Sequence, residues 1–201
     1  TLQAALITGK IDLRGPSGGH IGSIDTADTL RKTNPEIVLY KQWFRSNDAI
    51  APNVRKPPFD DIRVRKAMQM ALDLVAIVNT YFKGYGDATP NGDTANEVTG
   101  IGTPFEEWPE EVKQYYIYDP EGAEKLLDQA GYPRGADGVR LKVHLVHRDV
   151  SDLGYTEIAV SYWAEIGIDV DVGIYDTAAW VAARADTTFY ELATSYQAFT
   201  F

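Results

Sequence analysis

VRLKVHLVHRDVSDLGYTEIAVSYWAEIGIDVDVGIY, residues 139–175, changes its apolar period twice. Val139, Leu141, Val143 and Leu145 alternate, which predicts a half-buried strand over Val139–His147. Ile158, Ala159, Tyr162, Trp163 and Ile166 then recur at helical spacing within Leu153–Gly167. Alternation returns at Ile168, Val170, Val172 and Ile174, giving a second strand, Ile168–Tyr175. A helix from Asp176 or Thr177 to Ala185 and a strand from Tyr190 to Tyr196 extend the series. Strand, helix, strand, helix, strand implies an α/β fold whose mainly parallel sheet is flanked by helices. Ligands of such sheets gather beyond the carboxyl ends of the strands, which selects Gly15–His20, His147–Asp149 and Tyr175–Trp180.

The preceding stretch, PPFDDIRVRKAMQMALDLVAIVNTYFKGYG (57–86), reads as a loop and two abutting helices. Pro57 and Pro58 favour extended backbone, and Asp60 is the expected cap of the first helix. Asp73 is expected to cap the second, Leu74–Phe82, which Gly84 ends with a left-handed residue. Closer to the start, the tail of a helix ends at Gly9, Ile11–Arg14 reads as a short strand, and Asp25 or Thr26 caps a helix reaching Lys32. Asn34–Pro35 is a turn, and Glu36–Phe44 (EIVLYKQWF) has the β-branched and aromatic content of a strand. Ala49–Pro52 is a candidate second strand. Tyr85–Tyr116 is a long connection anchored by Phe105 and Trp108, with Trp108 read as a packing residue. Asp119–Pro120–Glu121 opens a helix with the stripe Ala123, Leu126, Leu127 and Ala130, closed by Gly131.

Nineteen Lys and Arg against 29 Asp and Glu give a net charge of −10, which argues against a nucleic-acid or anionic-membrane partner. There is no cysteine, hence no disulfide or thiolate metal site. His144 and His147 are three apart on one strand and face opposite ways, so they cannot chelate one metal together. No nucleophile elbow, HExxH or phosphate loop is present, and no cofactor is expected. The carboxylate pairs Asp60–Asp61, Glu106–Glu107 and Glu110–Glu111 leave a hydrolase as the alternative. A non-catalytic interaction domain is the third reading.

Three blocks carry a resemblance to the family 5 extracellular solute-binding proteins, receptors of ABC importers. The first is Pro57, Pro58, Phe59, Asp60, Asp61, Arg63, Val64, Arg65, Ala67, Ala71 and Asp73, followed by Ile77, Val78, Gly84 and Gly86. The second is YDPEGAEKLLDQAGYP (118–133), and the third runs from Ile166 to Val172 and on to Trp180. The resemblance implies a periplasmic-binding-protein-like lobe over residues 1–201, a piece of a larger two-lobed, extracytoplasmic receptor whose other lobe, and any signal, lie outside this sequence. It further implies a peptide or other small-molecule ligand, ABC permease subunits as partners, and residence in the periplasm or anchored at the cell surface. Trp180 matches a tryptophan that lines a side-chain pocket in peptide-binding members; the competing reading buries it against Tyr162 or Trp163. Arg148, at a strand end, is a candidate for an anionic ligand group, with His147 and Tyr175 beside it. Tyr196 and Gln197 lie where the family's chain returns to the hinge. The pattern is broken at Thr194 and Thr200, which stand where oligopeptide receptors carry an arginine and the aspartate that holds the ligand's amine. An amine-binding carboxylate is therefore not expected, and a nickel-type ligand set is not seen.

Overall fold

The computed structural model describes residues 2–12, 24–40, 49–90, 103–149, 153–186 and 188–195. The loop Gly15–His20, the end of the expected Ile11–Arg14 strand, and Tyr196, Gln197 and Thr200 lie outside these residues. Two compact units are present, Thr1–Trp43 and Phe44–Phe201.

In the first unit, α1 (Leu2–Ile7) closes at Gly9, whose φ of +67° is the left-handed conformation that a side chain would oppose. Helix α2 spans Ile24–Thr33 and carries the buried Leu30; Asp25 and Thr26, expected as its cap, lie within its first turn, where Asp25 places negative charge at the positive end of the helix dipole. Asn34 accepts from the Ile37 amide at 3.0 Å, forming the expected turn. The expected strand Glu36–Phe44 does not form over its described part: residues 36–40 are turn and irregular backbone, as are Ile11 and Asp12. Val38 and Tyr40 are 68 % and 86 % exposed. β-branched and aromatic content yields a strand only where a neighbour takes up the backbone groups and one face is buried, and neither condition is met there.

The second unit begins with β1 (Ala49–Pro52), α3 (Ile62–Met70) and α4 (Leu74–Thr80). The cap of α3 is Asp61 rather than Asp60, accepting from the Arg63 amide. Phe59 and Asp60 both donate to the Lys56 carbonyl, so a turn that buries Phe59 completely takes up Asp60 and starts the helix one residue later. Asp73 caps α4 as expected, and Gly84 is left-handed at φ +76°. The long connection contains the short α5 (Glu110–Lys113) between two single 3-10 turns. There Phe105, Trp108 and Tyr116 meet edge to face at 5.3–6.2 Å, and the Trp108 indole donates to the Thr103 carbonyl, a packing role. Helix α6 (Pro120–Gln129) is capped by Asp119 with Pro120 in its first turn. It is followed by β2 (Leu141–Arg148), α7 (Leu153–Glu165), β3 (Ile168–Tyr175), α8 (Thr177–Ala185) and β4 (Leu192–Ser195).

The strands form one sheet in the order β1-β4-β2-β3. β2 pairs parallel with β3 from Leu141↔Ile168 to Arg148↔Tyr175, and parallel with β4 at Leu145↔Leu192 and Val146↔Ala193. β1 runs antiparallel to β4. Alternation along β2 sorts the core onto two faces. Leu141, Val143 and Leu145 pack with α3, α6 and α7 through Val64, Ala67, Leu127, Ala159 and Trp163. Val146, with Ala193 of β4, packs beneath Trp180 and Ala183 of α8. A fully buried Leu145 or Ile168 contributes about 1.5–3 kcal/mol. The Trp163 indole crosses the helical layer to donate to the Met68 carbonyl at 3.0 Å, fixing α7 against α3.

Candidate functional site

Parallel register brings the carboxyl ends of β2 and β3 to one rim, with Arg148 opposite Tyr175 and the Asp149 amide donating to the Tyr175 carbonyl at 2.9 Å. The chain turns there into α8, which Asp176 caps by accepting from the Ala179 amide at 2.8 Å. The first turns of α8 thereby set Thr177 and Trp180 beside Arg148. Arg148 Nε donates to Thr177 Oγ1 at 3.1 Å, and its guanidinium carbon lies 5.4 Å from the Trp180 ring centroid. The Arg148 backbone amide donates to Thr194 Oγ1 at 3.0 Å, so a buried threonine hydroxyl on β4 holds the end of β2. Arg184, one turn along α8 from Trp180, stacks on the same indole at 4.6 Å. Two guanidinium groups on one indole face a ring quadrupole that attracts both. Trp180 itself is 7 % exposed, and its Nε1 is buried without a hydrogen-bond partner.

Tyr175 turns back along the sheet. Its hydroxyl lies 3.2 Å from His144 Nε2, and His144 Nδ1 lies 2.9 Å from Asp171. Gly173 permits this: a Cβ there would come within 2.7 Å of the Tyr175 ring and 2.8 Å of His144. His147 faces the other way. It is 1 % exposed, with Nδ1 3.2 Å from Thr156 Oγ1 of α7. Of the residues expected from the sequence, Arg148, Tyr175 and Trp180 share one corner, His147 is separated from them by the sheet, and Tyr196 and Gln197 lie outside the described residues. The competing reading of Trp180 as a buried packing residue holds, but its partners are Val146, Ala183 and Ala193 rather than Tyr162 or Trp163. Those residues belong to α7, and successive right-handed crossovers place α7 and α8 on opposite faces. Thr177 and Arg184 were not singled out from the sequence. For Arg184 the signal was its helical i,i+4 spacing from Trp180, whereas the reach of Thr177 to β2 depends on tertiary placement.

One carboxylate in each of two of the pairs has structural work. Asp61 caps α3 and binds the Arg63 guanidinium, and those hydrogen bonds hold its carboxyl below the ordinary range. A general acid needs the opposite displacement. Glu110 pairs with Lys113 at 2.8 Å. Among the described residues no three His, Asp or Glu side chains converge as a metal site, and no helix there is long and apolar enough to cross a membrane.

Comparison with known proteins adds the following. The family described as bacterial extracellular solute-binding proteins, family 5 Middle, matches residues 1–200. Heme-binding protein A of Haemophilus influenzae is 30 % identical over 148 residues, covering 73 % of this chain and 25 % of that protein. The glutathione-binding protein GsiB of Pectobacterium atrosepticum is 31 % identical over 177 residues, covering 88 % of this chain and 30 % of that protein. This chain thus spans about a quarter to a third of the curated relatives it matches. In structure it is similar to the periplasmic binding protein DppA of Helicobacter pylori, solved with the peptide STSA, at a TM-score of 0.71 and 23 % identity over 96 % of this chain and 34 % of that one. The oligopeptide-binding protein AppA of Bacillus subtilis, solved with a nonapeptide, gives 0.67 and 20 % over 96 % and 38 %. The mainly parallel sheet between two helical layers is therefore that of periplasmic binding proteins, and the chain belongs to the bacterial extracellular solute-binding proteins of family 5.

Proposed function

We propose that this chain is one lobe of a two-lobed, non-enzymatic receptor that captures a carboxylate-bearing solute outside the cytoplasm and delivers it to an ABC permease. The observation that carries this reading is the Arg148 guanidinium at the carboxyl end of β2, held by Thr177 and stacked over Trp180. In a protein of net charge −10, an arginine held at the strand-end rim puts positive charge where ligands of such sheets gather, the sign that a carboxylate requires. The relatives' names support the same chemistry, since glutathione, di- and tripeptides and heme all carry carboxylates. Thr194 supplies no charge to a ligand; its hydroxyl receives the Arg148 amide, in keeping with a site that does not grip an α-amine through this strand. Closure of the two lobes would be favoured by contacts made only in the closed state, and the closed surface would be what the permease reads. Anchoring to the cell surface belongs to the same proposal.

The test is calorimetric titration of the full-length receptor with reduced glutathione, tri-alanine and hemin. At least one is expected to bind, and Arg148→Ala is expected to weaken it about 30-fold or more, the effect of losing a charge-assisted hydrogen-bonded pair. Affinity unchanged in Arg148→Ala, or no binding of any of the three to the unmodified receptor, overturns the reading.

A further inference from the structure

We infer that the outer face of α8 is an interface within the whole receptor, covered by a helix from the part of the same chain that follows residue 201. This rests on the reading of the chain as one lobe of a longer receptor. Helix α8 (TAAWVAARA) departs from the pattern of a surface helix. Its buried side, Trp180 and Ala183, packs on Val146 and Ala193 of the sheet. On the other side Ala178, Val181, Ala182 and Ala185 fall at i, i+3, i+4 and i+7 and are all exposed, Val181 at 54 %. Arg184, the one charged residue of the helix, is turned onto the Trp180 ring at 4.6 Å. Helices on the other sheet face follow the ordinary rule: exposed positions of α6 include Glu121, Lys125 and Asp128, and those of α7 include Glu157 and Glu165. A helix that is apolar all round is one that a folded protein buries all round. Phe189, whose amide donates back to the Asp186 carbonyl just past α8, extends the apolar surface and is 46 % exposed.

The two sheet faces are also unequally covered. Among the described residues α3, α6 and α7 pack on one face, whereas α8 alone packs on the other, and a mainly parallel sheet needs cover on both. Handedness decides where a further helix goes. α7 carries the chain from β2 to the adjacent β3, and α8 carries it back across β2 to β4. A right-handed crossover that leaves β4 in the direction α8 travelled, toward and past β1, lands on the face of α8. One leaving the other way would have to extend the sheet past β3, an edge on which Asp169 and Asp171 are both exposed, the kind of charge that keeps an edge strand from pairing. Alanine at three of the four outer positions of α8 admits a second helix at the short end of the usual interaxial range of about 8–10 Å. The receptor has chain to supply it, since this chain covers 25 % and 30 % of two curated relatives.

The experiment uses the full-length receptor with any cysteine outside residues 1–201 replaced by serine, and labels Val181→Cys and Ala182→Cys with a water-soluble maleimide. Lys125→Cys and Glu157→Cys serve as exposed references. The two α8 thiols are expected to react about 50-fold or more slowly than the references in buffer, and at the same rate as them in urea, because a covered site is reached only through local opening. In parallel, Val181 is replaced by p-benzoylphenylalanine, the receptor is irradiated, and the cross-linked peptides are mapped by mass spectrometry. A link to a peptide beyond residue 201 of the same chain, with a yield independent of dilution, is the expected result. Labelling of Val181→Cys and Ala182→Cys as fast as the references overturns the inference. So does the absence of a cross-link, or a link to residues 1–201, to the stretch preceding them, or to a second copy whose yield falls on dilution. The two readings fail separately. Free labelling of α8 in a receptor that binds glutathione, tri-alanine or hemin removes the interface alone; protected α8 thiols in a receptor that binds none of them remove the solute reading and leave the interface.

Discussion

Replacing Glu124 by Gln removes a carboxylate that two arginines share where three elements meet. Arg134 donates to both of its oxygens at 2.9 and 3.1 Å, and Arg140 donates to Oε2 at 2.7 Å. Arg140 stands just before β2 with its side chain 4 % exposed, and it also reaches Asp128 and the Tyr132 carbonyl. Arg134 continues to the Glu165 carbonyl at the end of α7. Glu124 on α6 is thus tied to the start of β2 and the end of α7 through one charged cluster. The hydrogen bonds of Arg134 and then Arg140 hold its carboxyl down from the ordinary 4.5 to about 2. A fall of that size corresponds to at most about 3–4 kcal/mol. With 35 % of the Glu124 side chain exposed, solvent screening reduces the expected contribution to about 1–2 kcal/mol. The folded value lies below the unfolded one, so this stability is fully present above about pH 4.5 and is lost as the pH falls toward 2. Urea unfolding of the chain, followed by tryptophan fluorescence, should show Glu124→Gln less stable than wild type by about 1–2 kcal/mol at pH 7. The difference should shrink steadily below pH 4.5. A difference that is absent at pH 7, or that persists unchanged down to pH 2.5, would refute the reasoning.

Two further changes probe the packing of the fold away from the site. Gly167→Ala places a Cβ at φ +86° and 2.9 Å from the Gly138 carbonyl, a backbone atom that cannot swing aside, and should cost about 2 kcal/mol or more in the same unfolding assay. Trp163→Phe removes the bond to the Met68 carbonyl and part of a buried ring; a loss of about 2–3 kcal/mol is expected, with an unchanged midpoint counting against the role given to that indole.

The alternation of Leu141, Val143 and Leu145 and of Ile168 and Val170, with the helical stripe through Ala159 and Trp163 between them, made the parallel pair β2–β3 and its crossover legible, because burial of one face leaves its period in the sequence. Most caps lay close to expectation: Asp73 caps α4 as expected, Asp119 caps the helix expected to open there, Asp176 rather than Thr177 stands outside α8, and α3 shifted to Asp61 because the turn at Lys56 absorbs Asp60, whereas Asp25 and Thr26 lie inside α2. The strand expected over Glu36–Phe44 does not form in its described part, because strand content is a statement about available partners as much as about residues. At the candidate site, the strand-end rule reached Arg148, Tyr175 and Trp180; the alternation of β2 already sets His147 and Arg148 on opposite faces, and the tertiary structure decided that the face of His147 meets Thr156 of α7.

The amino-acid sequence by itself determined the family, the order of the main strands and helices from β1 onward, and the stretch of chain that arrives at the rim, since each rests on local period, turn chemistry and motif spacing. Only the tertiary structure decided that Thr177 and Thr194, 29 and 46 residues beyond Arg148, converge on it, and that Trp180 lies on the opposite sheet face from Trp163. Contacts of that kind depend on which strands become neighbours and which face each crossover covers, and neither leaves a trace in the residues nearby.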